Sequence, residues 1–108
     1  MSGFEEREKS FETQYKRDQE NLFRVTSRRN RLLGLWAAEQ FGMPDNQALD
    51  YAKEVVLADF EEPGDEDVFR KVLADFLSKG IEMDEQTLRN EMVRLMDEAT
   101  RQINAENS

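Results

Sequence analysis

SGFEEREKSFETQYKRDQENLFRVTSRRNRLLGLWAAEQF, residues 2–41, contains no proline, and Gly34 is its only glycine beyond the first turn. A stretch of that kind reads as a single helix. Ser2 and Glu5 have the spacing of a capping box, in which the two side chains satisfy exposed backbone donors. Glu5/Lys9, Glu12/Lys16 and Glu20/Arg24 stand at the i,i+4 interval that supports a solvated helix. At about 1.5 Å per residue the helix spans roughly 58 Å. A domain of this size is only about 30–35 Å across. Part of the helix must therefore project, fold back or fray.

The apolar residues indicate which part. From Leu22 onward they are dense: Leu22, Phe23, Val25, Leu32, Leu33, Trp36, Ala37 and Phe41. Before Leu22 only Phe4, Phe11 and Tyr15 stand out, among ten charged residues in the first twenty. In helical register those three and Leu22 fall within about 40° of one another. The line is too narrow to join a bundle core and suited to lying along a groove. Residues 1–19 are thus either a frayed terminus or a binding arm, mobile alone and helical when bound.

Downstream, three turn signals divide the chain: Gly42-Met43-Pro44-Asp45, Pro63-Gly64-Asp65 and Lys79 to Asp84. Between them the apolar residues follow a helical period. The predicted core stripes are Leu49, Ala52, Val56 and Phe60 flanked by Val55, then Val68, Phe69, Val72, Leu73, Phe76 and Leu77, then Leu88, Met92, Leu95, Met96, Ala99 and Ile103. Asp45 or Asn46, Asp65 and Asp84 are the expected N-caps. No segment alternates like a strand. The expected fold is all-α, an antiparallel four-helix bundle over residues 20–108, with a mobile N-terminal arm extending the first helix.

Composition narrows the chemistry. The chain has 108 residues, 15 Lys and Arg against 24 Asp and Glu, a net charge of −9, and neither cysteine nor histidine. Disulfides, thiolate nucleophiles, Cys/His zinc sites and histidine bases are excluded. An acidic chain is a poor general ligand for nucleic acid or anionic membrane, and no apolar run has the length of a membrane span. The charge is uneven: residues 1–43 carry net +1, residues 44–60 net −3 and residues 61–108 net −7.

The concentrated positive charge, Arg24, Arg28, Arg29 and Arg31, has two readings. It could hold the phosphates of ATP or ADP, or it could pair with the acidic helices packed beside it. No glycine-rich phosphate loop accompanies it, and on an acidic protein pairing is favoured. The acidic run Asp59, Glu61, Glu62, Asp65, Glu66 and Asp67 lacks the pattern of a calcium loop, and its last three members suit a helix start. No metal site, and no constellation for an enzyme, stands out.

Phe4 to Glu12, the block Arg28-Arg29-Asn30-Arg31-Leu32-Leu33-Gly34-Leu35-Trp36-Ala37-Ala38-Glu39, Tyr51 to Val56, Ala58 to Glu62 and Asp65 to Val72 together resemble the zeta-subunit family of alphaproteobacterial F-type ATP synthase inhibitors. The likeness runs from about residue 3 to residue 103 and is most specific in the arginine-to-tryptophan block. It implies a four-helix bundle that is not an enzyme and that inhibits ATP hydrolysis by the synthase's catalytic head. It further implies an N-terminal segment that becomes helical as it enters an interface between catalytic subunits and the rotor. On that resemblance Phe4, Phe11 and Tyr15 are the buried anchors, and Glu5, Arg7, Glu8, Lys9, Lys16 and Arg17 pair with charges lining the cleft. The protein is then expected to be monomeric when free, cytoplasmic, and peripheral to the inner membrane through the synthase. The alternative is an adenine-nucleotide-binding regulatory bundle, with ATP or ADP near the arginines.

Overall fold

The computed structural model describes residues 2–61 and 64–107, and the side chains of residues 19–60 and 64–107. Among the described residues four helices occur: α1 (Ser2–Gln40), α2 (Asp45–Glu61), α3 (Asp65–Ser78) and α4 (Glu85–Asn107). α1 packs against all three others, while among the described residues the backbones of α2 and α4 do not come close to one another. Successive helices run antiparallel. Phe60 meets Phe23 and Ala52 meets Gly34 between α2 and α1; Lys71 meets Glu54 and Asp75 meets Tyr51 between α3 and α2.

Glycine turns reverse the chain at two of the three junctions. Gly42, at φ 74°, follows α1, and the N–H groups of Gly42 and Met43 return to the carbonyls of Glu39 and Ala38. Gly80, at φ 72°, repeats the arrangement after α3, with Gly80 and Ile81 bonding back to Leu77 and Phe76. Both are Schellman closures, which need a residue free to adopt the left-handed conformation. Of the expected caps, Asp84 holds: its carboxylate accepts the N–H of Thr87. Asp45 instead lies inside the first turn of α2, where the Pro44 carbonyl accepts the Ala48 N–H. Asp65 likewise lies inside α3, and its carboxylate is drawn away to Arg29.

The core is built from Leu33, Ala37 and Ala38 of α1, Tyr51, Ala52 and Val55 of α2, Val68, Phe69, Val72 and Phe76 of α3, and Leu88, Met92, Leu95, Ala99 and Ile103 of α4. Phe76 touches the rings of Trp36 and Phe41, and Phe41 stands edge-on to Tyr51. The predicted stripes of α3 and α4 match these faces, apart from exposed Leu77 and half-buried Leu73 and Met96. The α2 stripe matches only in part: Ala52 and Val55 are buried as expected. Leu49 and Phe60 are exposed and Val56 is half-buried, because α2 is rolled so that Tyr51, Ala52 and Val55 face inward. Gly34 dictates that roll: with no side chain there, Ala52 comes against the α1 backbone.

The molecule measures 66 × 25 × 22 Å, with a radius of gyration of 17.4 Å. A compact domain of this length would have about 13 Å. The difference is the first helix, which runs on past the ends of its neighbours.

Candidate functional site

The site to be understood is the place where α1 leaves the bundle. α4 ends beside Asn21, Arg24 and Arg28. The Asn107 amide donates to Asn21 Oδ1 at 3.3 Å, and Arg24 donates to Asn107 Oδ1 at 2.9 Å. Arg28 donates to Gln102 Oε1 at 2.8 Å and to Glu106 Oε1 at 2.6 Å. Arg24 and Arg28 stand one turn apart on α1, as Gln102 and Glu106 do on α4, so two antiparallel helices interlock at matching intervals. On the other flank the Phe23 ring packs on Phe60 at 5.8 Å between centroids. A polar clamp and an aromatic pair thus hold the root of the extension. Sequence reasoning missed Asn21, Phe60, Gln102, Glu106 and Asn107 as its partners. The matched i,i+4 spacings of arginines and acceptors were the available signal.

Leu22 and Phe23 are 61% and 57% exposed although they lie on the same side of α1 as the core. Leu22 stands only about 20° from buried Leu33 in helical register. Both residues lie at the level where α2 and α4 come to their last residues and cover α1 only in part. Phe4, Glu5, Arg7, Glu8, Lys9, Phe11, Tyr15, Lys16 and Arg17 fall on the α1 backbone beyond this point, and their side chains lie outside the described residues. So does the Ser2–Glu5 box.

The four arginines are not brought together. Arg24 and Arg28 turn to the end of α4. Arg29 is 2% exposed and reaches across the bundle, donating to Asp65 Oδ1 and to Asn30 Oδ1, both at 2.7 Å. Arg31 stands exposed beside α2. Three of the four guanidinium groups are spent on internal acceptors, which is the pairing arrangement. A depression of about 550 Å³ is lined by Arg29, Asp65, Arg89, Met92, Met96 and Thr100. Its second cation is engaged too: Arg89 grips the Glu66 carboxylate through both terminal nitrogens and lies over the Phe69 ring, 3.9 Å from its centroid. Those hydrogen bonds hold the Glu66 carboxyl below its usual range. Among the described residues no group of acidic side chains is placed to hold a metal ion. No described helix is long and apolar enough to cross a membrane.

Away from the root, α2 and α3 are tied by a small polar network. The Tyr51 hydroxyl donates to Asp75 Oδ2 at 2.7 Å, and Lys71 donates to the same oxygen at 3.1 Å. Burial first, and then the bond to Asp75 and its charge, push the Tyr51 phenol far above its ordinary value.

A family model described as ATPase inhibitor subunit zeta matches residues 1–102. A structure solved by solution NMR is similar to this one at 46% sequence identity and a TM-score of 0.69, over 78% of this chain and 95% of that chain. No curated protein matches.

Proposed function

The chain belongs to the ATPase inhibitor subunit zeta family, a family of regulators and not of enzymes, and we propose that its α1 extension restrains ATP hydrolysis by wedging into the catalytic head of an F-type ATP synthase. The observation that carries this reading is the run of the α1 backbone N-terminal to Asn21, where α4 ends, continuous with a helix the bundle grips on both flanks.

The physical argument is one of state selection. A catalytic interface must close and reopen as the rotor turns, and a helix lodged in it stabilises one state of the cycle. Phe4, Phe11 and Tyr15 supply the apolar line that enters. Glu5, Arg7, Glu8, Lys9, Lys16 and Arg17 meet the charges of the cleft. An isolated helix of this length is marginal in water, so the arm, residues 1–19, gains its full helicity in the cleft. The bundle is too wide to follow and limits how deeply the wedge is drawn. Hydrolytic rotation tightens such a helix and synthetic rotation expels it. The protein then sits at the membrane only through the synthase.

Deleting residues 1–19 tests the assignment. The truncated chain is expected to keep a cooperative melt while losing inhibition of ATP hydrolysis; full inhibition by the truncated chain overturns the reading. Phe11→Ala is expected to weaken inhibition by roughly 1–3 kcal/mol, the range for a buried aromatic anchor. An unchanged inhibition constant removes Phe11 from the anchors.

A further inference from the structure

Among the described residues seven large apolar side chains stand exposed, and five of them belong to the root of α1 and the outer face of α2: Leu22, Phe23, Leu49, Leu57 and Phe60. Leu49 and Phe60 belong to the α2 stripe that periodicity assigned to the core, and the roll of the helix left them outside. Between α2 and α1 this face forms a groove of about 350 Å³ whose floor is Leu49, Ala52, Val56 and Leu57. Among the described residues its charged lining is Arg31 and Lys53.

Those two cations are exceptional in an acidic molecule. Arg24, Arg28, Arg29, Arg70, Lys71, Arg89, Arg94 and Arg101 each meet a carboxylate, and Lys79 lies over the Phe41 ring. Among the described residues neither Arg31 nor Lys53 has an acidic partner. The nearest α2 carboxylates in sequence, Asp50 and Glu54, stand about 60–100° round the helix from Lys53, and Glu54 is turned to Lys71. An apolar floor with two unmatched positive charges on its walls calls for an apolar ligand bearing negative charge. The space between two helix ridges is the shape a third helix fills. Phe60 and Phe23 carry the same apolar surface up to the root of the extension, so a partner engaged by the arm can reach the groove without a gap.

We propose that the α1–α2 groove is a second docking surface, receiving an amphipathic helix with carboxylates beside its apolar stripe, on the same ATPase that the arm enters. This rests on the reading of the arm as the inhibitory wedge. The two contacts divide the work: the arm blocks the cycle, while the groove retains the inhibitor and fixes the direction from which the arm enters.

Full-length Leu49→Glu/Leu57→Glu and Arg31→Glu/Lys53→Glu separate the two contacts. All four side chains are exposed, so both proteins are expected to keep the melting temperature of the parent. Each pair is expected to raise the half-inhibitory concentration about tenfold, the loss for one or two well-packed contacts, while inhibition at saturation stays complete. The charge-reversed pair should also show a smaller loss of affinity on adding salt than the parent, the arm's own charges being unchanged. If both pairs inhibit with the parent's half-inhibitory concentration while Phe11→Ala fails, the groove proposal is overturned and the arm stands. If the groove pairs weaken inhibition and Phe11→Ala and the deletion do not, the arm reading falls and the groove is kept. Tighter inhibition by the groove pairs would assign the groove to the chain's own arm, and a parent dimer that they dissolve with inhibition unchanged would assign it to a second copy. Either result overturns the proposal.

Discussion

Gly34→Ala is the sharpest probe of how α1 is held. A Cβ placed on Gly34 would lie 2.6 Å from the Ala52 Cα and 3.2 Å from both the Ala52 Cβ and a Val55 methyl. Two opposing effects decide the outcome. In a helix interior alanine is favoured over glycine by about 1 kcal/mol. Against that, the nearest atom is backbone, which no rotamer change can move, so α2 must shift away from α1 and loosen Val55 and Tyr51 behind it. Overpacking of this kind costs about 1–3 kcal/mol, and a backbone contact belongs at the upper end. The expected net loss is about 1–2 kcal/mol, which lowers the melting temperature by about 4–8 °C per kcal/mol in a domain of this size. Thermal melts followed by far-UV circular dichroism read this directly. Adding Ala52→Gly is expected to restore little, since it removes the 3.2 Å contact and leaves the 2.6 Å one, while placing a second glycine in a helix. A Gly34→Ala protein as stable as the parent, or full rescue by Ala52→Gly, would refute the close backbone approach and with it the explanation of the roll of α2.

Two further perturbations test the polar ties. Asp65→Ala leaves the buried Arg29 guanidinium with Asn30 as its remaining hydrogen-bond acceptor; a loss of about 1–3 kcal/mol is expected in urea unfolding, because the cost falls on an uncompensated buried charge. Tyr51→Phe removes the bond to Asp75 and should cost about 0.5–1.5 kcal/mol at neutral pH. The same group gives a pH dependence. Its folded pKa is raised, so its contribution is complete below the unfolded value of about 10 and is lost as pH rises above it. Stability of the parent should therefore fall more steeply than that of Tyr51→Phe in alkaline urea titrations, and parallel curves would show the phenol to be unperturbed.

Helix number, turns and most of the core were legible because they follow from local chemistry. Gly42 and Gly80 close helices in the left-handed conformation that glycine adopts more readily than any other residue, and the α3 and α4 stripes are broad enough to leave one choice of inward face. α2 was misread in part, at Leu49, Val56 and Phe60, for a physical reason. It is apolar on two sides, with Tyr51, Ala52 and Val55 on one and Leu49, Val56, Leu57 and Phe60 on the other. Periodicity reports that a stripe exists and does not report which stripe a neighbour covers. The choice was made by Gly34, seventeen or more residues away in the chain, through a contact no local pattern encodes. Arg29 was hidden in the same way: a charged residue inside a basic cluster reads as surface, yet it is among the largest fully buried side chains of the described residues.

That misreading bears on function. A fold that rolled α2 the other way would turn Tyr51 and Val55 outward and bury Leu49, Val56 and Phe60 instead. Exposing them costs hydrophobic stabilisation of about 25 cal/mol per Å² left uncovered, and a small acidic bundle has little to spare. The same residues flank two cations in a chain where acids outnumber bases, and they adjoin the point where α1 outruns its partners. One glycine thus determines which apolar stripe closes the core and which is offered outward. The arm and the groove are two parts of one surface, held in fixed register by the helix they share.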